Sequence, residues 1–237
     1  MKCVLLCVGY TPWLYPLTLN KPKALLEIRG KPLLDYTIER IPNEIEKIYI
    51  VTNDKFYYNF IWWLENSKSK VKEKIEVIND ETSTNESRLG GVGDLNFVIE
   101  LKQINDDILV ILGDNYFNFN LSGLINFFKK VGSTILGVVS LDKEQAKNFG
   151  VVEITEDKIS SFEEKPENPK SNSVSTGLYI FTKDDLKKIK EYIKTDLNKE
   201  GPGYLIKYFL EIKDVYAYKL DGWWFDIGSI EEYEKLK

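Results

Sequence analysis

Five short, mostly apolar runs frame this chain: Cys3–Val8, Lys47–Thr52, Ile75–Ile78, Ile108–Leu112 and Thr134–Ser140. Each has the length of a buried strand. Between them lie stretches of helical periodicity at Pro32–Ile41, Phe56–Glu65, Leu89–Leu101 and Leu121–Val131. Strands alternating with helices imply right-handed crossovers. The pattern therefore predicts an α/β fold with a mostly parallel central sheet and helices on both faces. Beyond Ser140 the rhythm changes. Gly150–Ile154, Lys158–Glu163 and Ser173–Phe181 follow one another closely and read as antiparallel strands added to the parallel core. A lysine-rich helix is expected over Asp184–Thr195. Then come a Gly201-Pro202-Gly203 turn, a helix to Leu210, a strand at Val215–Leu220 and a short terminal helix.

Apolar residues make up 43% of the 237, enough for a sizeable core in one large domain. The apolar runs are too short to span a bilayer. A net charge of −5 argues against a nucleic-acid partner, which would call for a basic excess. The two cysteines, Cys3 and Cys7, share one face of the first strand and read as reduced core thiols of a cytoplasmic protein. There is no histidine, which excludes Ser-His-Asp triads, Cys-His pairs and histidine-ligated zinc. Acid, base or metal chemistry must rest on carboxylates, lysine, tyrosine or cysteine.

Ligands of parallel α/β sheets bind beyond the carboxyl ends of the strands. This directs attention to Gly9–Tyr15, Asn53-Asp54, Asn79–Asn85 and Gly113-Asp114-Asn115. Asp114 ends the most apolar run, behind a glycine, where a carboxylate can hold a magnesium ion over phosphates or cap the next segment. Asp226, among the aromatics of Trp223-Trp224-Phe225-Asp226, must be paired, bound to a cation or used as a helix cap near Ser229. Lys23 and Lys165 each adjoin a proline that stiffens its loop. Each is a phosphate ligand or a solvated surface lysine. The Gly9–Tyr15 loop is a poor phosphate cradle, with one glycine and Pro12, which has no N–H.

These pieces stand in a recognisable order. Leu14-Tyr15-Pro16-Leu17-Thr18, Pro22-Lys23-Ala24-Leu25-Leu26 and Gly30-Lys31-Pro32-Leu33-Leu34 are followed by Gly113-Asp114-Asn115, Phe149-Gly150-Val151, Glu163-Glu164-Lys165-Pro166, Ser175-Thr176-Gly177 and Phe225-Asp226-Ile227-Gly228. From Val4 to Gly228 the chain resembles the sugar-phosphate nucleotidyltransferases, the group of the thymidylyl-, uridylyl- and cytidylyltransferases. The resemblance implies a three-layer Rossmann-like fold over residues 1–237 as a single domain, Mg²⁺ as cofactor, and an NTP with a phosphorylated sugar or alcohol as partners. It implies that Lys23 contacts phosphate and that Asp114 and Asp226 hold Mg²⁺. Lys165 would grip the acceptor phosphate, and Glu164 would orient sugar hydroxyls. Asn115, Gly150 and Gly177 would line the sugar pocket. Gly9 and Tyr10, with Ser83, Asn85, Leu89 and Gly90, would hold the nucleotide. The Ser83–Gly90 segment departs from the family's glutamine-containing pattern and resembles cytidylyltransferases for choline phosphate and related alcohols.

One departure bears on activity. The family's loop carries arginine and threonine where this chain has Trp13 and Pro12. That arginine neutralises the leaving pyrophosphate, whereas tryptophan offers one N–H and no charge. Two functions follow as expectations. One is a nucleotidyltransferase that joins an NTP to a sugar-1-phosphate or similar phosphomonoester. The other is an impaired homologue that binds nucleotide or nucleotide-sugar without efficient turnover. A related glycosyltransferase would need an Asp-x-Asp motif after a strand, which Gly113-Asp114-Asn115 does not supply. Finally, Tyr57, Tyr58, Trp62 and Trp63 share one helix and cannot all face the core, so the helix is either broadly buried or forms a homo-oligomer contact.

Overall fold

Alternation along the first strand sets up two hydrophobic layers. In β1 (Lys2–Leu6), Cys3 and Leu5 enter one core while Val4 and Leu6 enter another, and all four are buried. The computed structural model describes all residues, Met1–Lys237. After β1 come a small hairpin, β2 (Glu27–Ile28) and β3 (Lys31–Pro32), and then α1 (Leu33–Arg40). The alternating units follow: β4 (Lys47–Thr52), α2 (Tyr57–Asn66), β5 (Ile75–Asn79), α3 (Gly91–Leu101) and β6 (Ile108–Leu112). Next are β7 (Asn115–Phe117), α4 (Ser122–Val131), β8 (Ile135–Ser140), the one-turn α5 (Lys143–Ala146), β9 (Gly150–Thr155), β10 (Lys158–Glu164) and β11 (Ser173–Phe181). The chain continues through α6 (Asp185–Ile193), α7 (Gly203–Leu210), β12 (Tyr216–Lys219), β13 (Trp224–Asp226) and α8 (Ile230–Leu236).

Nine strands form one sheet in the order β5-β4-β1-β6-β11-β8-β12-β10-β9. The half from β5 to β6 is wholly parallel, as the apolar runs predict. β11 then pairs antiparallel with both β6 and β8, and β10 pairs antiparallel with β9 and β12, so the complete sheet is mixed. β8 and β12 add one more parallel ladder. One face is covered by α1, α2 and α4 through residues such as Ile38, Phe60 and Phe128. The other face is covered by α3, α6 and α7 through Leu95, Ile189 and Phe209. This is the three-layer arrangement.

On α2, Phe60 and Trp63 are buried while Tyr58 and Trp62 are 77% and 68% exposed. The broadly buried helix therefore fails as an explanation, and one aromatic face of α2 stands in solvent. No helix is long and apolar enough to cross a membrane.

Candidate active site

Because β1, β4, β5 and β6 run parallel, their carboxyl ends share one edge, and the polar segments that follow them gather there. Hydrogen bonds knit these segments together. The Asn53 amide donates to Val8 O at 2.9 Å, the Asp54 N–H to Thr82 O at 2.9 Å, and the Tyr10 hydroxyl to the same Thr82 carbonyl at 3.1 Å. Tyr10 is thus a buried tie between the first loop and the loop after β5.

Asp114 follows β6 directly. Asp226 reaches it through a second, two-stranded sheet in which β13 runs antiparallel to β7, with Asp226 opposite Asn115. The Asn115 side chain fixes that pairing. It donates to Leu112 O at 3.0 Å and accepts from Trp224 Nε1 at 2.6 Å, so its amide is spent on positioning β13. Asp226 does not cap α8, because Ser229 does so by accepting from the Glu232 N–H at 3.2 Å.

Lys23 lies on a 3₁₀ turn, Lys23–Leu25, just after Pro22. Its side chain is only 7% exposed, and its ammonium donates to Asp226 Oδ1 at 2.9 Å and Asp114 Oδ2 at 3.3 Å. Burial pulls the lysine down, but the two carboxylates outweigh it, so its pKa is raised and the ammonium stays charged. Burial, then the negative charge of Asp114, hold Asp226 above the usual carboxylate range despite its ion pair. One ammonium thus serves two acids. A cavity of about 40 Å³ beside this cluster is lined by Gly9, Thr11, Lys23, Gly113 and Asp114.

The donor set fits a magnesium ion. Two carboxylates converge on a single cationic position, the ligands are hard oxygens, and Mg²⁺ is usually held by one or two carboxylates with phosphate and water completing its shell. No cluster of three or more acidic, cysteine or histidine ligands exists, so this site offers no dedicated protein cage.

Further along the sheet, β9 and β10 frame a second group. Gly150 has no room for a side chain, since a Cβ there would come within 2.5 Å of the Phe162 ring and 3.0 Å of Glu164 Oε2. A Cβ on Gly203 would meet the same ring at 2.8 Å and the same oxygen at 3.3 Å. Gly203, read from sequence only as a turn residue, therefore packs against the same ring and carboxylate as Gly150. The signal was available in Gly201-Pro202-Gly203, but its neighbours were not. Burial raises the Glu164 carboxyl, with Lys165 pulling the other way. Lys165 itself sits in the left-handed region at φ 48, a strained conformation for a residue with a Cβ. Gly177, at φ 76, sits where the β11–β8 register shifts, packed against Leu112 and the Asn115 amide.

The segment expected to hold the nucleotide lies between β5 and α3. Ser83 is exposed, Leu89 is 38% exposed, the Asn85 carbonyl accepts from Arg88 Nη1 at 2.7 Å, and Gly90 is buried at the start of α3. The first amides of α3, Gly91 and Val92, donate to the Glu200 and Lys199 carbonyls and are already taken. Arg88 pairs with Glu200 through two bonds of 3.1 and 3.0 Å. Trp13, on the 3₁₀ turn Pro12–Leu14, is 64% exposed.

These features define a three-layer α/β protein with a lysine and two carboxylates gathered at the carboxyl edge of its parallel strands. The chain belongs to the nucleotidyl transferase family, which it matches over residues 2–237. It is 32% identical to the bifunctional protein GlmU of Methanocaldococcus jannaschii over 96% of this chain and 51% of that protein. It is 29% identical to a Sulfolobus acidocaldarius protein provisionally named mannose-1-phosphate guanyltransferase, over 100% of this chain and 62% of that one. The chain thus spans about half to three-fifths of the length of these relatives. Among solved structures, apo UDP-glucose pyrophosphorylase superposes with a TM-score of 0.82 at 22% identity, covering 100% of this chain and 96% of that one. The same enzyme with UDP-glucose gives 0.83 at 22% identity, covering 99% and 96%. At this identity the likeness concerns the fold.

Proposed function

We propose that this chain is a Mg²⁺-dependent nucleotidyltransferase that joins an NTP to a sugar-1-phosphate or similar phosphomonoester and releases pyrophosphate. The observation that carries this reading is the meeting of Lys23, Asp114 and Asp226 at one point, although they lie on three separated segments of a nucleotidyl transferase chain. The substrate class follows the relatives, whose names include a mannose-1-phosphate guanyltransferase and a glucose-1-phosphate adenylyltransferase.

The chemistry is positioning and charge neutralisation. An acceptor phosphate oxygen attacks the α-phosphorus in line, the bond to the β-phosphate oxygen breaks, and pyrophosphate leaves. Asp114 and Asp226 would hold Mg²⁺, which supplies neutralisation of phosphate charge when bound. Lys23, buried and charged, is released from the carboxylates to face phosphate. Lys165 holds the acceptor phosphate. Glu164, whose backbone is tied into the β10–β9 ladder, accepts from acceptor hydroxyls through its carboxylate. Gly9, Tyr10, Ser83, Asn85, Leu89 and Gly90 form the nucleotide side, and Gly150 and Gly177 keep the acceptor side open.

Trp13 favours a second reading, binding without efficient turnover, because it stands where the resemblance places an arginine. Pyrophosphate release separates the two. The protein is incubated with Mg²⁺, each of ATP, GTP, CTP, UTP and dTTP, and a panel of sugar-1-phosphates and choline phosphate. Release from one pair supports the transferase. Nucleotide binding by calorimetry with no release from any pair supports the binder.

A further inference from the structure

Thr11 holds a backbone conformation that glycine adopts without strain and a branched residue does not. It stands directly before the turn Pro12–Leu14 at φ 44 and ψ 55, in the left-handed region. The turn fixes that conformation. The Thr11 carbonyl accepts from the Leu14 N–H at 3.0 Å and from the Thr18 hydroxyl at 2.8 Å. Both bonds use only the backbone of residue 11, and a glycine there would make them equally well. The turn itself needs no side chain at this position.

The side chain is not solvated either. Thr11 is 7% exposed, and its hydroxyl oxygen is buried without a hydrogen-bond partner. A desolvated, unpaired hydroxyl lowers stability, and so does the left-handed backbone. Residue 11 thus joins two unfavourable features that a glycine would remove together. The same residue helps to line the cavity of about 40 Å³, with Gly9, Lys23, Gly113 and Asp114. That space has room for about one water-sized group, such as a phosphate oxygen. A hydroxyl can donate to such an oxygen without bringing a charge of its own. The next two residues of the loop offer an anion little, since Pro12 has no N–H and Trp13 has no charge.

We propose that Thr11 is a phosphate-binding residue on the nucleotide side: its hydroxyl donates to a phosphate oxygen of the NTP beside Lys23, and the strained backbone places it there. This rests on the reading of the Lys23 cluster as the phosphate site of a nucleotidyltransferase.

The test compares the full chain with Thr11→Val, which keeps the shape and removes the hydroxyl, and Thr11→Ser, which keeps the hydroxyl. Inorganic tripolyphosphate with Mg²⁺ is the first probe, because it carries the phosphates without a base, and the five NTPs are measured beside it. Glucose-1-phosphate probes the acceptor side. Calorimetry is expected to show binding of tripolyphosphate, and of whichever NTP wild type binds, weakened about tenfold in Thr11→Val and within about twofold of wild type in Thr11→Ser. Melting without ligand is expected to place Thr11→Val no lower than wild type, since it discards an unpaired buried hydroxyl and keeps the packing. Equal phosphate binding in wild type and Thr11→Val overturns the inference while the nucleotide reading stands. So does a loss confined to glucose-1-phosphate, which would give the hydroxyl to the acceptor, or a lowered melting temperature of Thr11→Val, which would show that the hydroxyl serves the fold. If wild type binds neither tripolyphosphate nor any of the five NTPs, the nucleotide reading fails, and the role of Thr11 fails with it.

Discussion

The Lys23 ammonium lies 2.9 Å from Asp226 Oδ1 across 203 positions of sequence, and the same ammonium reaches Asp114. Removing it leaves two facing acids with no counterion. Lys23→Ala is expected to destabilise the metal-free protein by about 3 kcal/mol, because breaking a buried pair strands its partners. Millimolar Mg²⁺ should raise the melting temperature of Lys23→Ala more than that of wild type, since the ion takes the position the ammonium held. Calorimetric melts with Mg²⁺ and with EDTA check this.

Trp13 is exposed, so its replacement does not disturb the core. Trp13→Arg should leave stability within about 0.5 kcal/mol, as surface changes usually do. If a missing cation at the pyrophosphate limits turnover, the same substitution raises the rate by roughly 10²–10³. Pyrophosphate release compared between the two proteins measures it.

Gly150 and Glu164 test the proposed acceptor side. A Cβ at residue 150 would press on Phe162 and on the Glu164 carboxylate. Gly150→Ala should cost about 2 kcal/mol of stability through overpacking. If Glu164 accepts from acceptor hydroxyls as proposed, Glu164→Gln should raise KM for the acceptor about tenfold with little change in KM for the nucleotide, because it replaces one carboxylate acceptor by an amide donor. Initial rates with each substrate varied in turn separate these effects.

Asp94, in the first turn of α3, sets a stability slope. Its folded pKa is raised from 3.8 to about 9, so between these values the folded protein keeps a proton that the unfolded chain has released. Its contribution is therefore fully present below the lower value and lost as pH rises. Relative to Asp94→Asn, wild type should lose stability as pH rises through this window. Urea unfolding at a series of pH values reads the difference.

Much of this architecture is legible in the residues themselves. The apolar alternation of Cys3–Leu6 and the run before Gly113 mark strands, and Asp114 follows from its place at a strand end. Asp226 was legible as a constrained acid, but its meeting with Asp114 followed from the family resemblance alone and not from spacing or local pattern. That meeting depends on a three-residue pairing of β7 with β13 and on the Asn115–Trp224 hydrogen bond, which joins residues 109 positions apart. Local pattern carries no record of so short a ladder. Asp80 lay within the Asn79–Asn85 segment and Asp94 within the Leu89–Leu101 helical stretch, but only the folded chain shows both to be buried and without a cation. Gly203 read as a turn because Phe162, which it must clear, lies on a different strand.

In the proposed function, Asp114 and Asp226 hold the ion that makes this site a transferase. Mass spectrometry of reactions containing Mg²⁺, an NTP and a sugar-1-phosphate tests it most directly. One substrate pair is expected to give a nucleoside-diphospho conjugate with an equimolar amount of pyrophosphate, and Asp114→Asn neither product. No conjugate from any pair, or an undiminished yield from Asp114→Asn, would contradict it.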